Sequence, residues 1–170
     1  MLAPLNIEGL YDMHAAALHG FLLNFLRSEA DARDVLHEVF RKLARRPELL
    51  GGIRDARGFL LRLAHNQAVD LMRGRAARES GHQRLADESA GVFAPTAHPD
   101  EATFREELSE AMGELPAEQR AVVHLRLWEG LAFDAIAQAL DIPVNTASSR
   151  YRYGLDKLRT LLRPIYQEIQ

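Results

Sequence analysis

Apolar residues recur every three or four positions through most of the chain, the period of a helix that buries one side. From Ile7 to Leu26 they fall at Leu10, Met13, Ala17, Leu18, Phe21, Leu22 and Phe25, which predicts a first helix with a broad apolar stripe. Ser28, with Asp31 three residues on, reads as a shortened capping box that opens a second helix, and DARDVLHEVFRKLARR carries it to Pro47. Its predicted buried face is Val35, Leu36, Val39, Phe40 and Leu43. LLGGIRD breaks the period, and a third helix is predicted from Asp55 to Arg78 with Phe59, Leu60, Leu63, Ala64, Leu71 and Met72 turned inward. No β-branched run alternates with polar residues, and there is no Asn-Gly or Asp-Gly hairpin signal, so the predicted fold class is all-α.

The period stops in ESGHQRLADESAGVFAPTAHPD, a mixture of Gly, Ser, Pro, Ala and acidic residues. It reads as a flexible linker over 81–105 between two small helical domains, 1–80 and 106–170. A helix around Ala102–Gly113 is followed by one that begins after Pro116 and stops at Gly130, then by the short AFDAIAQAL. Asp141-Ile142-Pro143 forms the next turn. Pro143 suits the start of a helix, and Asp141 or the backbone before the proline is placed to meet the free amides there. From Val144, steps of 100° put Ala147, Tyr151, Gly154, Leu155, Leu158 and Leu162 on one side; Asn145, Ser148, Ser149, Arg152, Asp156 and Arg159 fall on the other.

A short helix, a tight turn and a longer helix with small polar and basic residues near its start is the helix-turn-helix pattern. The second helix of such a pair can lie in a major groove, where Ser148 and Ser149 permit close approach and Arg152 can grip a guanine or a phosphate. The plainer alternative is an αα-hairpin with a solvated polar side.

Charge sharpens this picture. The 170 residues carry a formal net charge of -3, which argues against coating nucleic acid by bulk charge. Yet residues 144–163 hold Arg150, Arg152, Lys157, Arg159 and Arg163 against Asp156 alone. The chain has no cysteine, hence no disulfide or thiolate metal site. His14, His19, His37, His65, His82, His98 and His124 make no i, i+4 pair and no H-E-x-x-H, and there is no phosphate-cradling glycine loop. No enzyme activity, metal or cofactor is therefore expected. With no signal peptide or membrane span in view, a cytoplasmic location is the default.

Longer motifs now carry a family resemblance. GELPAEQRAVVHLRLWEGLAFDAIAQALDIPVNTASSRYRYGLDKLR resembles the C-terminal domain of sigma-70-class factors, with its leading L-P, its E-G-L/x-x-x-I-A-x-x-L helix and its T-x-x-S-R recognition helix. DARDVLHEVFRKLARR resembles their D-A-x-D-x-x-Q-E-x-F polymerase-binding helix, and RGFLLRLAHNQAVDLMRGR their promoter-melting segment. With two such domains and a linker, the chain is similar to the small ECF (extracytoplasmic function) sigma factors. The resemblance implies a sigma2-like helical bundle and a sigma4-like helix-turn-helix domain that together direct core RNA polymerase to promoter DNA. An anti-sigma factor is an expected partner, and the protein itself is expected to be a monomer.

On that resemblance, Asp31, Asp34, Glu38 and Arg41 face core polymerase, with Lys42 and Arg45 extending the polar face; Asp31 and Asp34 also complement the helix N-terminus. Arg62, His65, Asn66, Gln67, Arg73 and Arg75 match the place where the minus-ten element is read on the unpaired strand, a task for amides, stacking surfaces and cations. Asn145, Thr146, Ser148, Ser149, Arg150, Arg152 and Tyr153 match the minus-thirty-five readers. The chain departs from the family pattern at Ser148, often basic; at Asp141, near the turn where glycine is usual; and at Phe59, where tryptophan is typical. With few cations facing DNA, it is expected to bind weakly without polymerase. A dimeric helix-turn-helix regulator and a polymerase-binding adaptor that reads no promoter are the rival readings.

Overall fold

The structure, a computed structural model, describes residues 6–79 and 99–168, with side chains for 6–79 and 101–164. Seven α-helices carry the described residues: α1 Ile7–Leu26, α2 Glu29–Arg45, α3 Ala56–Glu79, α4 Pro99–Gly113, α5 Ala117–Leu127, α6 Phe133–Leu140 and α7 Val144–Glu168. The predicted linker residues 81–98, with His82 and His98, lie outside the described residues, and α4 starts at Pro99, before the expected Ala102.

The helix ends follow from local chemistry. Asn6 accepts the Gly9 amide and Ser28 accepts that of Asp31, each filling an amide with no partner inside its helix. Pro47–Leu50 makes one 3-10 turn, Gly52 turns at φ 77°, and the Asp55 carboxylate takes the Gly58 amide at 3.0 Å to open α3. Gly130 at φ 64° ends the α5 segment. Asp141, at φ 54°, takes the left-handed conformation that closes α6. A glycine would be natural there, and Asp is one of the few other residues that tolerates the geometry. Asp141 thus belongs to the end of α6.

α1, α2 and α3 pack on one another, and α5 packs on α6 and α7 with α4 against α7. The two groups also touch, α1 against α5 and α3 against α6. A single apolar cluster runs through both, from Leu18, Phe21, Leu22 and Leu60 to Val122, Leu125 and Ile136. A smaller one joins Met112, Leu115, Val123, Leu158 and Leu162.

This contact corrects the expected buried faces. Val35, Leu36, Val39, Phe40 and Leu43 of α2 are all buried as predicted. On α1, however, Met13 is 76% exposed while Leu23 and Asn24 are buried; on α3, Met72 is exposed while Leu61 and Ala68 are buried. α1 and α3 are covered on a second side by α5 and α6, so their apolar stripe does not follow a single line.

Candidate nucleic-acid interface

The residues singled out in the sequence fall on three faces. On α2, Asp34 is exposed and Glu38 is partly exposed, its carboxylate accepting from Arg41 at 2.7 Å. Asp31 departs from the expected exposed face: it is 7% exposed, and its two carboxylate oxygens take the two terminal nitrogens of Arg75, one of them at 2.6 Å. This fork ties α2 to α3 and strengthens the hold of Arg75 on its proton. The candidate polymerase residues Asp34, Glu38 and Arg41 and the candidate minus-ten residues Gln67 and Arg75 line one open hollow of about 450 Å³, with Asp70 and His37 beside them. Lys42 is half-buried and Arg45 exposed.

On α3, Asn66 and Arg73 are exposed and Gln67 is partly so. Arg62 is exposed as well, and its Nε–H donates to the Gln138 carbonyl of α6, at 3.0 Å. His65 sits 5.4 Å from the Phe25 ring, ring centre to ring centre, with Nδ1 buried and lacking a protein partner. Burial, then the nearby positive charge of Arg150, pushes its pKa below the ordinary imidazole value.

On α7, Asn145, Ser148, Arg152 and Tyr153 are exposed, Tyr153 by 56%, while Thr146 and Ser149 are partly covered. The Arg152 guanidinium lies over its neighbour's ring, 5.2 Å from the Tyr153 centroid. Arg150 is different: it turns back to the Glu118 carboxylate of α5, at 3.4 Å. The rear of α7 is tight, since a Cβ on Gly154 would stand 2.7 Å from Val123 Cγ2. The close fit explains a glycine mid-helix. The exposed side therefore presents two amide or hydroxyl groups, one guanidinium and one phenol within about two turns, a set able to meet base edges and phosphates.

Sequence reasoning missed a further group of polar residues between the two helix groups. Arg57 donates to the Glu129 carboxylate at 2.5 Å and to its backbone carbonyl at 2.7 Å. Asn24 Nδ2 meets His124 Nδ1 at 2.9 Å, which leaves the imidazole hydrogen on Nε2, 3.6 Å from Glu129 Oε1. His124, then Arg57, hold Glu129 below the usual carboxylate range. Buried Arg120 donates to the Phe25 carbonyl at 2.8 Å and to Leu115 at 3.1 Å; Arg27 donates to the Ser109 carbonyl at 2.9 Å. The one available signal was an asparagine and a histidine at otherwise apolar positions of α1 and α5.

Known proteins match this arrangement in order. The family model described as Sigma-70 region 2 matches residues 10–78, and the one described as Sigma-70, region 4 matches residues 111–160. The chain is 32% identical over 163 residues to the ECF RNA polymerase sigma factor SigL of Mycobacterium tuberculosis, covering 94% of this chain and 90% of that protein. It is 31% identical over 169 residues to the RNA polymerase sigma factor CarQ of Myxococcus xanthus, covering 95% and 92%. In fold it resembles the sigma factor RpoE of Bartonella quintana, solved in complex with the anti-sigma factor NepR, with a TM-score of 0.79 at 16% identity over 92% of this chain and 96% of that one. No described helix is long and apolar enough to cross a membrane.

Proposed function

The chain belongs to the ECF group of sigma-70-class RNA polymerase sigma factors, and from that premise we propose how its faces divide the work of promoter recognition. It directs core RNA polymerase to promoter DNA; the polymerase performs the chemistry, and no catalytic residue is assigned to this chain. Residues 1–80 hold core polymerase and read and open the minus-ten element, and residues 106–170 read the minus-thirty-five element.

On α2, Asp34, Glu38 and Arg41 form the polymerase contact, and Asp31 supports it by pinning Arg75 of α3 in place. On α3, Asn66, Gln67 and Arg73 meet the unpaired minus-ten strand, joined by Arg62 and His65. On α7, Asn145, Ser148, Arg152 and Tyr153 enter the groove of the minus-thirty-five duplex. Thr146 and Ser149 flank them, and Arg150 braces the helix through Glu118. The protein acts where polymerase acts, in the cytoplasm, and its partners are core polymerase, promoter DNA and an anti-sigma factor. The last is supported by the RpoE structure, which was solved with one.

The observation that carries this reading is the exposed polar and cationic side of α7, packed tightly behind and open in front, at the positions that match Sigma-70, region 4. Its test is transcription by purified core polymerase charged with each variant. Arg152→Ala should lower use of the minus-thirty-five element while core binding stays intact, and Asp34→Lys should weaken core binding with duplex recognition intact. Equal loss of both functions in either variant defeats the division of labour.

A further inference from the structure

The corner of the helix-turn-helix is held by its backbone: Asp141 closes α6 at φ 54°, and the Ile142 amide donates to the Ala137 carbonyl at 3.0 Å. From this corner the two helices run apart, about 10 Å of α6 from Leu140 back to Phe133 and about 10 Å of α7 from Val144 on to Tyr151. Across the open ends the Phe133 and Tyr151 rings meet, their centroids 5.4 Å apart and their planes at 65°. The neighbouring inward positions of α7 carry no such reach: Ala147 is fully buried near the corner, and Gly154 lies against Val123 of α5. α5 adds a third member. The Arg126 guanidinium stands over the Phe133 ring, 4.8 Å from its centroid, and its Nη1 donates to the Leu131 carbonyl at 2.9 Å. Side chains of all three helices thus meet at one ring, and Arg126, Phe133 and Tyr151 are each partly exposed, at the rim of the group. The buried core of the group lies elsewhere, in Val122, Leu125, Ile136 and Ala147, which are 0% exposed.

This tie stands beside the residues proposed to read the duplex. Tyr151 is next to Arg152 on α7, and Ser148 lies about one turn before it. A tight turn at one end leaves the angle between two helices open to small changes, and a second contact at the far ends closes it. A change of about 1 Å at that distance from the corner rotates α7 by about 5° and carries the Arg152 backbone through roughly the same 1 Å. A forked pair of hydrogen bonds to a base edge loses its geometry over such a shift. We infer that Phe133 is a positioning residue for promoter reading: held by Arg126 and set against Tyr151, its ring fixes the angle of α7 to α6 and so decides where Ser148 and Arg152 stand on the minus-thirty-five duplex. This rests on the reading above, and it goes further in giving part of the discrimination between bases to a ring that touches none of them.

The test uses the full chain bound to core polymerase. A duplex library randomised over the promoter region is selected with the parent holoenzyme, and the sequence it favours is then changed one base at a time across the minus-thirty-five element. Run-off transcription from these templates gives a ratio, favoured sequence over changed. Phe133→Leu keeps apolar bulk and loses the ring. Its ratio should fall about tenfold at the most discriminating base, while its retention on core polymerase and its helical circular dichroism match those of the parent. Phe133→Tyr keeps the ring and should restore the parent ratio. Arg126→Gln uncovers the ring and should lower the ratio severalfold; added to Phe133→Leu it should lower it no further, as expected of two groups that act through one contact. A role confined to stability would lower transcription from every template alike and leave the ratio unchanged, and that result overturns the inference, as does a Phe133→Tyr chain that behaves like Phe133→Leu. Should Phe133→Leu lose its helical signal, Arg126→Gln carries the comparison at a partly exposed position, and an unchanged ratio there overturns the inference as well. A parent chain that selects no promoter with core polymerase defeats the sigma reading and the inference together. A parent that discriminates, beside a folded Phe133→Leu that discriminates equally, removes the inference alone.

Discussion

α3 and α7 carry similar side chains at the positions proposed to meet DNA, yet the molecule treats them in opposite ways. On α3, Arg75 is forked to Asp31, Arg62 donates its Nε–H to a carbonyl of α6, and His65 is half-buried against Phe25. On α7, Asn145, Ser148, Arg152 and Tyr153 stand clear, and Arg150 alone among the seven residues picked there forms an ion pair among the described contacts. A face whose cations also hold the fold cannot be altered without altering stability. A face backed by close packing and open in front separates the two.

Substitutions test that contrast, and in order of their effect on unfolding free energy the rear of α7 comes first. Gly154→Val drives new methyls into Val123, whose Cγ2 would already lie 2.7 Å from a bare Cβ, and should cost about 1–3 kcal/mol, read as a lower thermal midpoint. Arg75→Ala follows. It leaves Asp31, with a side chain only 10% exposed, without its partner, and because Arg75 is itself half-exposed the expected loss is about 1–2 kcal/mol in a urea titration. An Arg75→Ala chain as stable as the parent would remove the structural half of the contrast and leave Arg75 as a cation for DNA alone.

How far the sequence foretold these differences depends on what each helix touches. α2 packs along one side, so its five apolar positions were legible from spacing alone. α1 and α3 pack along two, and the second side is set by residues about a hundred positions away; no local period announces that Leu23 and Leu61 are buried or that Met13 is exposed. The same holds for function. The helical angles of α7 separated its outer residues from its core, but Arg150 and Arg152 look alike until Glu118 is seen beside one of them. Asp31 fitted a helix-capping role and a docking role equally well, and only the position of Arg75 on α3 shows that it is buried and paired. Asn24 and His124, which meet between the two helix groups, belong to no motif, and Glu129, though it opens the E-G-L of the quoted pattern, joins them only through a contact between distant helices.

A milder perturbation is acid. His65 has a folded-state pKa below its ordinary value of about 6.5, chiefly because it is buried and then because Arg150 is near; Glu118 opposes the shift, and Phe25 packs on the ring. The folded chain therefore favours the neutral ring. Its contribution is fully present above about pH 6.5 and is lost as pH falls from there toward the lowered folded value, since the unfolded chain takes up a proton that the folded one resists. Thermal midpoints measured from pH 7.5 down to 5.5 should drop more steeply for the parent than for His65→Gln. Parallel curves would mean that this ring is as well solvated as the residues on the front of α7.

The smallest effect on stability discriminates best. Arg150 and Arg152 sit two residues apart on α7, about 200° around the helix, so one can brace while the other reads. Arg150→Ala removes an ion pair to a carboxylate whose side chain is 71% exposed and should cost no more than about 1 kcal/mol. Arg152→Ala removes only a surface stacking contact and should shift unfolding by less than about 0.5 kcal/mol. In promoter use the ranking inverts. A guanidinium that reads a base edge is worth roughly 1–3 kcal/mol of discrimination, so Arg152→Ala should lose about tenfold or more in run-off transcription that depends on the minus-thirty-five element. Arg150→Ala should lose far less. A chain in which Arg150→Ala cripples promoter use and Arg152→Ala does not would place the reading face a third of a turn or more away from the open side of α7. The difference between α3 and α7 would then lie in packing alone and carry no division of labour.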